Sequence, residues 1–237
     1  MSVEAYNGLV RLRTAAALSV IASLFGLLSQ AVGFSLSGSA ALGELFPAVA
    51  MLMAVGVLMI ILGIATWVLK VMGWGSLCKA RLRKFYCLTR LIVLGAPIVG
   101  VILIIAGVLT TFIEVFSSIA SGPELSLLDE KIIASISGYI IAGAVIMAAG
   151  NVFEGVASLD LGFSTKENVL IVGSLLYLVS VTVSVLSQVS RELGIISPIV
   201  SLAGNVFLVA GYHTAKKHFI VSSPQTAAAT VAQGSGG

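Results

Sequence analysis

Six long runs of this chain are nearly free of charge, and no other feature limits its fold as much. They cover residues 14–36, 47–69, 91–117, 132–153, 168–190 and 197–211. About 20 mostly apolar residues at 1.5 Å per residue cross the ~30 Å hydrocarbon core of a bilayer. A soluble helix needs a polar face toward water, and these runs have none. Only 10% of the residues are charged, whereas a soluble domain carries about 25%. The sequence therefore predicts an all-α, integral membrane bundle of six transmembrane helices. It forms one domain over residues 1–221. Residues 222–237 are rich in Ala, Ser, Thr, Gln and Gly, lack apolar bulk and read as a disordered tail.

Local signals suggest where the helices begin and end. Pro47 suits a first helical position, and the second run closes on Gly73-Trp74-Gly75. Pro97 should kink the third helix. Ser164 followed by Glu167 reads as a capping box before the fifth helix, and Ser197-Pro198 as the start of the sixth. The first run exceeds the apolar region of about 7–15 residues in a signal peptide, so it reads as an uncleaved first helix.

Eleven of the thirteen Lys and Arg residues fall on one side of this arrangement. Arg11 and Arg13 precede the first span. Lys70, Lys79, Arg81, Arg83, Lys84 and Arg90 lie between the second and third, Lys166 between the fourth and fifth, and Lys216 and Lys217 after the sixth. Only Lys131 and Arg191 lie opposite. The positive-inside rule places both termini in the cytoplasm and the protein in the cell membrane. The 70–90 segment, with Trp74, Phe85 and Tyr86 among its cations, suits the headgroup level. Lys79, Arg81, Arg83, Lys84 and Arg90 are its candidate lipid-headgroup contacts. This placement of the cations explains the pI of about 9.0 without nucleic acid. Cys78 and Cys87 fall in the same segment. On a reducing side, with no histidine near in sequence, they read as two unpaired thiols.

In lipid, apolar residues do not mark buried faces, whereas small and polar ones do. Ser19, Ser23, Gly26, Gln30, Gly33 and Ser37 recur at steps of three and four. So do Ala96, Gly100, Leu103, Gly107, Thr110 and Glu114, and the later helices carry Gly173, Tyr177, Ser180, Ser184, Ser187 and Arg191, then Ser197, Ser201, Gly204 and Gly211. Each set lies on one helix face. The bland reading is a close-packed seam, and the functional one is a partly polar conduit. The segment Ala149-Gly150-Asn151-Val152-Phe153 recurs as Ala203-Gly204-Asn205-Val206-Phe207, a weak internal echo.

The candidate polar intramembrane residues are Glu114, Gln30, Asn151, Glu154, Asn205 and Gln188. Glu114 reads as a carboxylate near the outer end of the third helix. Asn151 and Glu154, three residues apart, share a face of the fourth. They and Asn205 either line one polar pocket or form hydrogen bonds between helices, the reading preferred from sequence. Such bonds contribute about 0.6 kcal/mol on average.

No H-E-x-x-H, G-x-S-x-G or Walker pattern is present, and the only histidines, His213 and His218, lie at the end of the sixth run. The sequence thus predicts no enzyme, cofactor or metal site. The opening Tyr6-Asn7-Gly8-Leu9-Val10-Arg11-Leu12-Arg13-Thr14-Ala15 and the Leu161-Gly162 turn before Glu167 and Gly173 resemble a family of archaeal multi-pass membrane proteins. That family is catalogued as domain of unknown function nine-seven-three. The resemblance implies an archaeal cell membrane and supplies no activity. The expected role is a non-enzymatic accessory or scaffolding component. Its partners are the lipid bilayer and another membrane protein or a second copy, and no nucleic acid. The alternative is a small-solute or ion transporter or channel.

Overall fold

The computed structural model describes residues 3–36, 42–121, 128–187 and 191–220. They form α1 (Val3–Leu36), α2 (Leu42–Lys79), α3 (Lys84–Ser121), α4 (Leu128–Thr165), α5 (Asn168–Leu186), α6 (Arg191–Ala215) and the single turn α7 (Lys217–Ile220). The first six are long and apolar enough to cross a membrane. The protein is a multi-pass membrane protein, and its described residues contain no strand.

Each of the six helices packs on its neighbours in chain order, and α6 closes on α1. The result is a ring. Glycines set its closest approaches, because a side chain there would meet a neighbouring backbone. A Cβ on Gly8 would lie 2.9 Å from the Gly73 carbonyl oxygen, joining α1 to α2. One on Gly143 would lie 2.7 Å from the Gly100 carbonyl, joining α4 to α3. One on Gly211 would lie 2.5 Å from Leu170 Cα, joining α6 to α5. The small-residue faces of α3, α5 and α6 are thus close-packed seams within the chain.

The helices are longer than the apolar runs. α2 continues ten residues past Leu69, and α4 twelve past Phe153, about 15–18 Å of extra helix at 1.5 Å per residue. Lys70 is therefore a helix residue, and the expected basic loop shrinks to the turn 80–83. Arg81 makes that turn with φ 53°, a left-handed conformation that costs a non-glycine residue about 1–2 kcal/mol. These extensions carry the compact core. Leu9, Leu12, Trp74, Leu77, Tyr86, Leu161 and Tyr212 are all at most 2% exposed. The opposite halves present Met53, Ile60, Ile102, Ile113 and other large apolar residues outward, as suits a lipid solvent.

Four local expectations fail. Ser164 does not cap α5. It donates to the Leu161 carbonyl inside α4, whose end is closed instead by a Schellman motif. Lys166 takes φ 57°, Glu167 N donates to Gly162 O at 2.9 Å and Lys166 N to Phe163 O at 3.3 Å. Glu167 then becomes the N-cap of α5, without a side-chain cap bond. α6 starts at Arg191, so Pro198 lies inside it rather than at its first position. Pro47 likewise falls in the second turn of α2. Finally, Cys78 and Cys87 are joined in a disulfide. The short turn brings their Cα atoms to 4.7 Å, a separation that a disulfide spans.

Candidate functional site

Above the compact core the ring is hollow. A cavity of about 1180 Å³, partly open to the outside, is lined by residues of all six helices. On every helix the lining residues lie on the far side of Trp74, Leu77 and Tyr86 from the basic turns: 19–26 on α1, 59–70 on α2, 93–97 on α3, 140–154 on α4, 177–185 on α5 and 197–205 on α6. The molecule is a cup, filled at its basic end and empty beyond it.

The small-residue face of α1 changes role along its length. Gly8 is packed on α2, while Gly26 has open space where a Cβ would stand. Gly63 on α2 is the same, and both line the cavity. The small residues of α1 are thus a close-packed seam at the basic end and border the cavity farther along.

The floor of the cup is an ion pair. Lys70 Nζ, from α2, lies 2.7 Å from Glu154 Oε2, from α4, with side chains only 14% and 7% exposed. Tyr177 of α5 completes the cluster. Its hydroxyl accepts from Lys70 at 3.3 Å and lies 3.2 Å from both Glu154 Oε2 and Asn151 Oδ1, to one of which it donates. Lys70 Nζ also stands 5.3 Å from the Tyr177 ring centroid, within cation–π range. Below the pair, Ser158 donates to the Glu154 carbonyl and shares a 2.6 Å bond with Tyr212. That bond fixes the backbone from which the carboxylate projects.

The walls are tied together by fewer polar contacts. Ser23 of α1 meets Ser201 of α6 at 3.3 Å, and Asn205 donates to the Ser201 carbonyl. Proline supplies another tie. Pro97 has no N–H, so the carbonyl of Val93 four residues earlier loses its helical partner. Trp67 Nε1 of α2 takes it at 2.8 Å. Thr66 is only 9% exposed and lines the cavity, yet its Oγ1 has no hydrogen-bond partner.

Asn151, Glu154 and Asn205 all line this one cavity, and the internal echo thus delivers an Asn from α4 and one from α6. Gln30 lies on α1 beyond the lining residues. Glu114 lies in α3, but its side chain is outside the described set, and Gln188 lies outside the described residues. Of the basic candidates, Arg83 pairs with Asp160, which also accepts from Tyr86 at 3.0 Å. Lys79, Arg81, Lys84 and Arg90 are exposed. Sequence reasoning missed Lys70, Thr66 and Trp67. Lys70 had a signal: the eight residues after it, Val71 to Cys78, hold no charge, which separates it from the cluster beginning at Lys79.

Among the described residues no three His, Cys, Asp or Glu side chains gather to hold a metal ion. Comparison with protein-family models, with curated proteins and with solved structures finds no match.

Proposed function

We propose that the protein is a membrane carrier that takes a ligand into the cup and holds it against the Lys70–Glu154 floor. The observation that carries this reading is a cavity, walled by all six helices, that ends on a buried ion pair. Ionisable residues inside a membrane bundle are costly, and where they face a cavity they mark ligand or ion paths. The small-residue seams that suggest an accessory subunit are occupied by the chain's own helices, so they give no support to a partner. The reading is non-enzymatic: the floor holds a ligand, and no covalent bond is made or broken there.

The cation count orients the cup. Both termini and the filled end face the cytoplasm, and the mouth faces outward, an orientation that the Cys78–Cys87 bond at the filled end opposes, because disulfides are rare on a reducing side. Cysteine placed at Thr230→Cys in the tail should react with an impermeant maleimide only after cells are permeabilised. Labelling of intact cells would invert the orientation.

Purified protein in vesicles should move a substrate from a panel of ions, small solutes and fluorescent amphipaths. Gly63→Trp should stop it, because this glycine opens on the cavity and an indole there would plug it. Transport that persists through a plugged cup would sink the proposal.

A further inference from the structure

The chemistry of the cup is not uniform, and its gradient points to one class of ligand. The walls are mainly aliphatic: Met59, Val93, Ile140, Val145, Met147 and Val185. Serines of α1, α5 and α6 also line the walls, and of these Ser19, Ser23 and Ser180 donate to carbonyls of their own helices. The groups that meet across helices around a charge gather at the floor. Lys70 donates, Glu154 accepts, and Asn151 and Tyr177 can do either. One turn above Lys70 on α2, the buried Thr66 hydroxyl has no partner, and such a group costs free energy unless something binds it.

The floor also has a defined height. Lys70 and Glu154 directly follow the apolar stretches 47–69 and 132–153. Taking those stretches as the hydrocarbon-spanning ones puts the pair at the headgroup level of the basic-side leaflet, with the hollow walls reaching into the hydrocarbon. From Glu154 to Ile140 the cavity runs along 14 residue steps of α4, about 21 Å at 1.5 Å per residue. That depth exceeds half of the ~30 Å core. The volume of about 1180 Å³ also exceeds the ~300–1,000 Å³ of sites for drug-sized molecules. Polar end and apolar walls are thus arranged in the same sense as a lipid of that leaflet.

The charge balance of the floor selects the head. Lys70 and Glu154 cancel. An anionic head on Lys70 would strand the carboxylate, and a cationic head on Glu154 would strand the ammonium. Leaving one member of a buried pair alone is strongly unfavourable. A neutral head that donates and accepts leaves the pair intact and can reach Thr66.

We infer that the ligand of the cup is a long-chain amphipath with an uncharged, hydrogen-bonding head, seated head-down on the Lys70–Glu154–Asn151–Tyr177 floor beside Thr66. The inference rests on the carrier reading and names its substrate class.

Three probes with one chain and three heads test it: hexadecanol, hexadecanoate and hexadecylammonium. Protein in nanodiscs is equilibrated with each, and retained adducts are counted by native mass spectrometry. Wild type should hold hexadecanol at least about tenfold more tightly than either ion, a difference readily resolved in affinity. Glu154→Gln frees the ammonium and should turn the preference to hexadecanoate. Lys70→Gln frees the carboxylate and should turn it to hexadecylammonium. The double variant removes both charges while keeping hydrogen-bonding amides and should retain the alcohol, which guards against misfolding of either single variant. Gly63→Trp should exclude all three. Equal retention of the three heads, a head preference that neither variant moves, or binding that survives Gly63→Trp would overturn the inference. If no amphipath binds but a water-soluble solute crosses vesicles in a Gly63→Trp-sensitive manner, the ligand class falls and the carrier reading stands. If neither occurs, both fall.

Discussion

Lys70→Met should be among the most damaging single substitutions in this protein. It removes the cation from a carboxylate whose side chain is 7% exposed. Only the hydroxyl of Tyr177 remains bonded to Glu154 Oε2. Removing one partner of a buried pair costs about 3–5 kcal/mol. For a chain of this size each kcal/mol lowers Tm by about 2–4 °C, so the expected fall is roughly 6–20 °C. Glu154→Met should cost less. The ammonium it strands keeps the Tyr177 hydroxyl and ring, and its flexible stem can carry it toward water in the cavity. With both replaced by Met, no charge is left unpaired and the double variant should lie near wild type. Thermal unfolding in one mild detergent, run as a double-mutant cycle, gives the coupling between the two sites. Near-additive single effects below about 1 kcal/mol would mean that water from the cavity already solvates both groups, as for an exposed pair. The claim of a desolvated floor would then be wrong.

Three further outcomes follow from the packing. Gly211→Ala places a Cβ 2.5 Å from Leu170 Cα and should cost about 1–3 kcal/mol as overpacking. Gly63→Ala meets nothing within 4 Å and should be neutral or stabilising by up to about 1 kcal/mol through helix propensity; the same unfolding assay separates them. Trp67→Phe should cost about 1 kcal/mol, because it strands the Val93 carbonyl. In a Pro97→Ala background, where a backbone N–H can reclaim that carbonyl, the cost should shrink; equal costs in both backgrounds would discard the proline argument. Denatured protein should take up no alkylating reagent before reduction and two equivalents after it, by mass, if Cys78 and Cys87 are bonded as the structure has them.

The six spans were legible because lipid removes the need for a polar face, so the hydropathy of each run is enough to find it. The site was half legible. Asn151 and Glu154 stood out as an i, i+3 pair on an apolar helix, and Asn205 through the echo. Their partner Lys70 did not, because it reads as the first cation of the basic segment unless the uncharged stretch Val71 to Cys78 after it is taken as continued helix. The capping signals failed for a related reason. Ser164 and Pro198 sit in patterns that open a helix, yet α4 and α6 run through them. The Schellman motif at Lys166 and the position of Pro198 depend on packing that no local pattern records. Nor does any local pattern show that α6 closes on α1.

The two levels of the bundle obey different solvents, and this explains why the cavity sits where it does. Beyond the apolar runs the helix extensions meet water, so apolar side chains gain by burial, and Trp74, Tyr86, Tyr212 and the surrounding leucines form an ordinary close-packed core. Within lipid that driving force is absent, and helices are held by small-residue contacts and a few hydrogen bonds. A ring can remain open there at little hydrophobic cost, provided that the filled end holds its helices in register. The Lys70–Glu154 pair lies at the boundary between the two regimes. The packed half below fixes its helices, and the hollow half above exposes it to whatever enters.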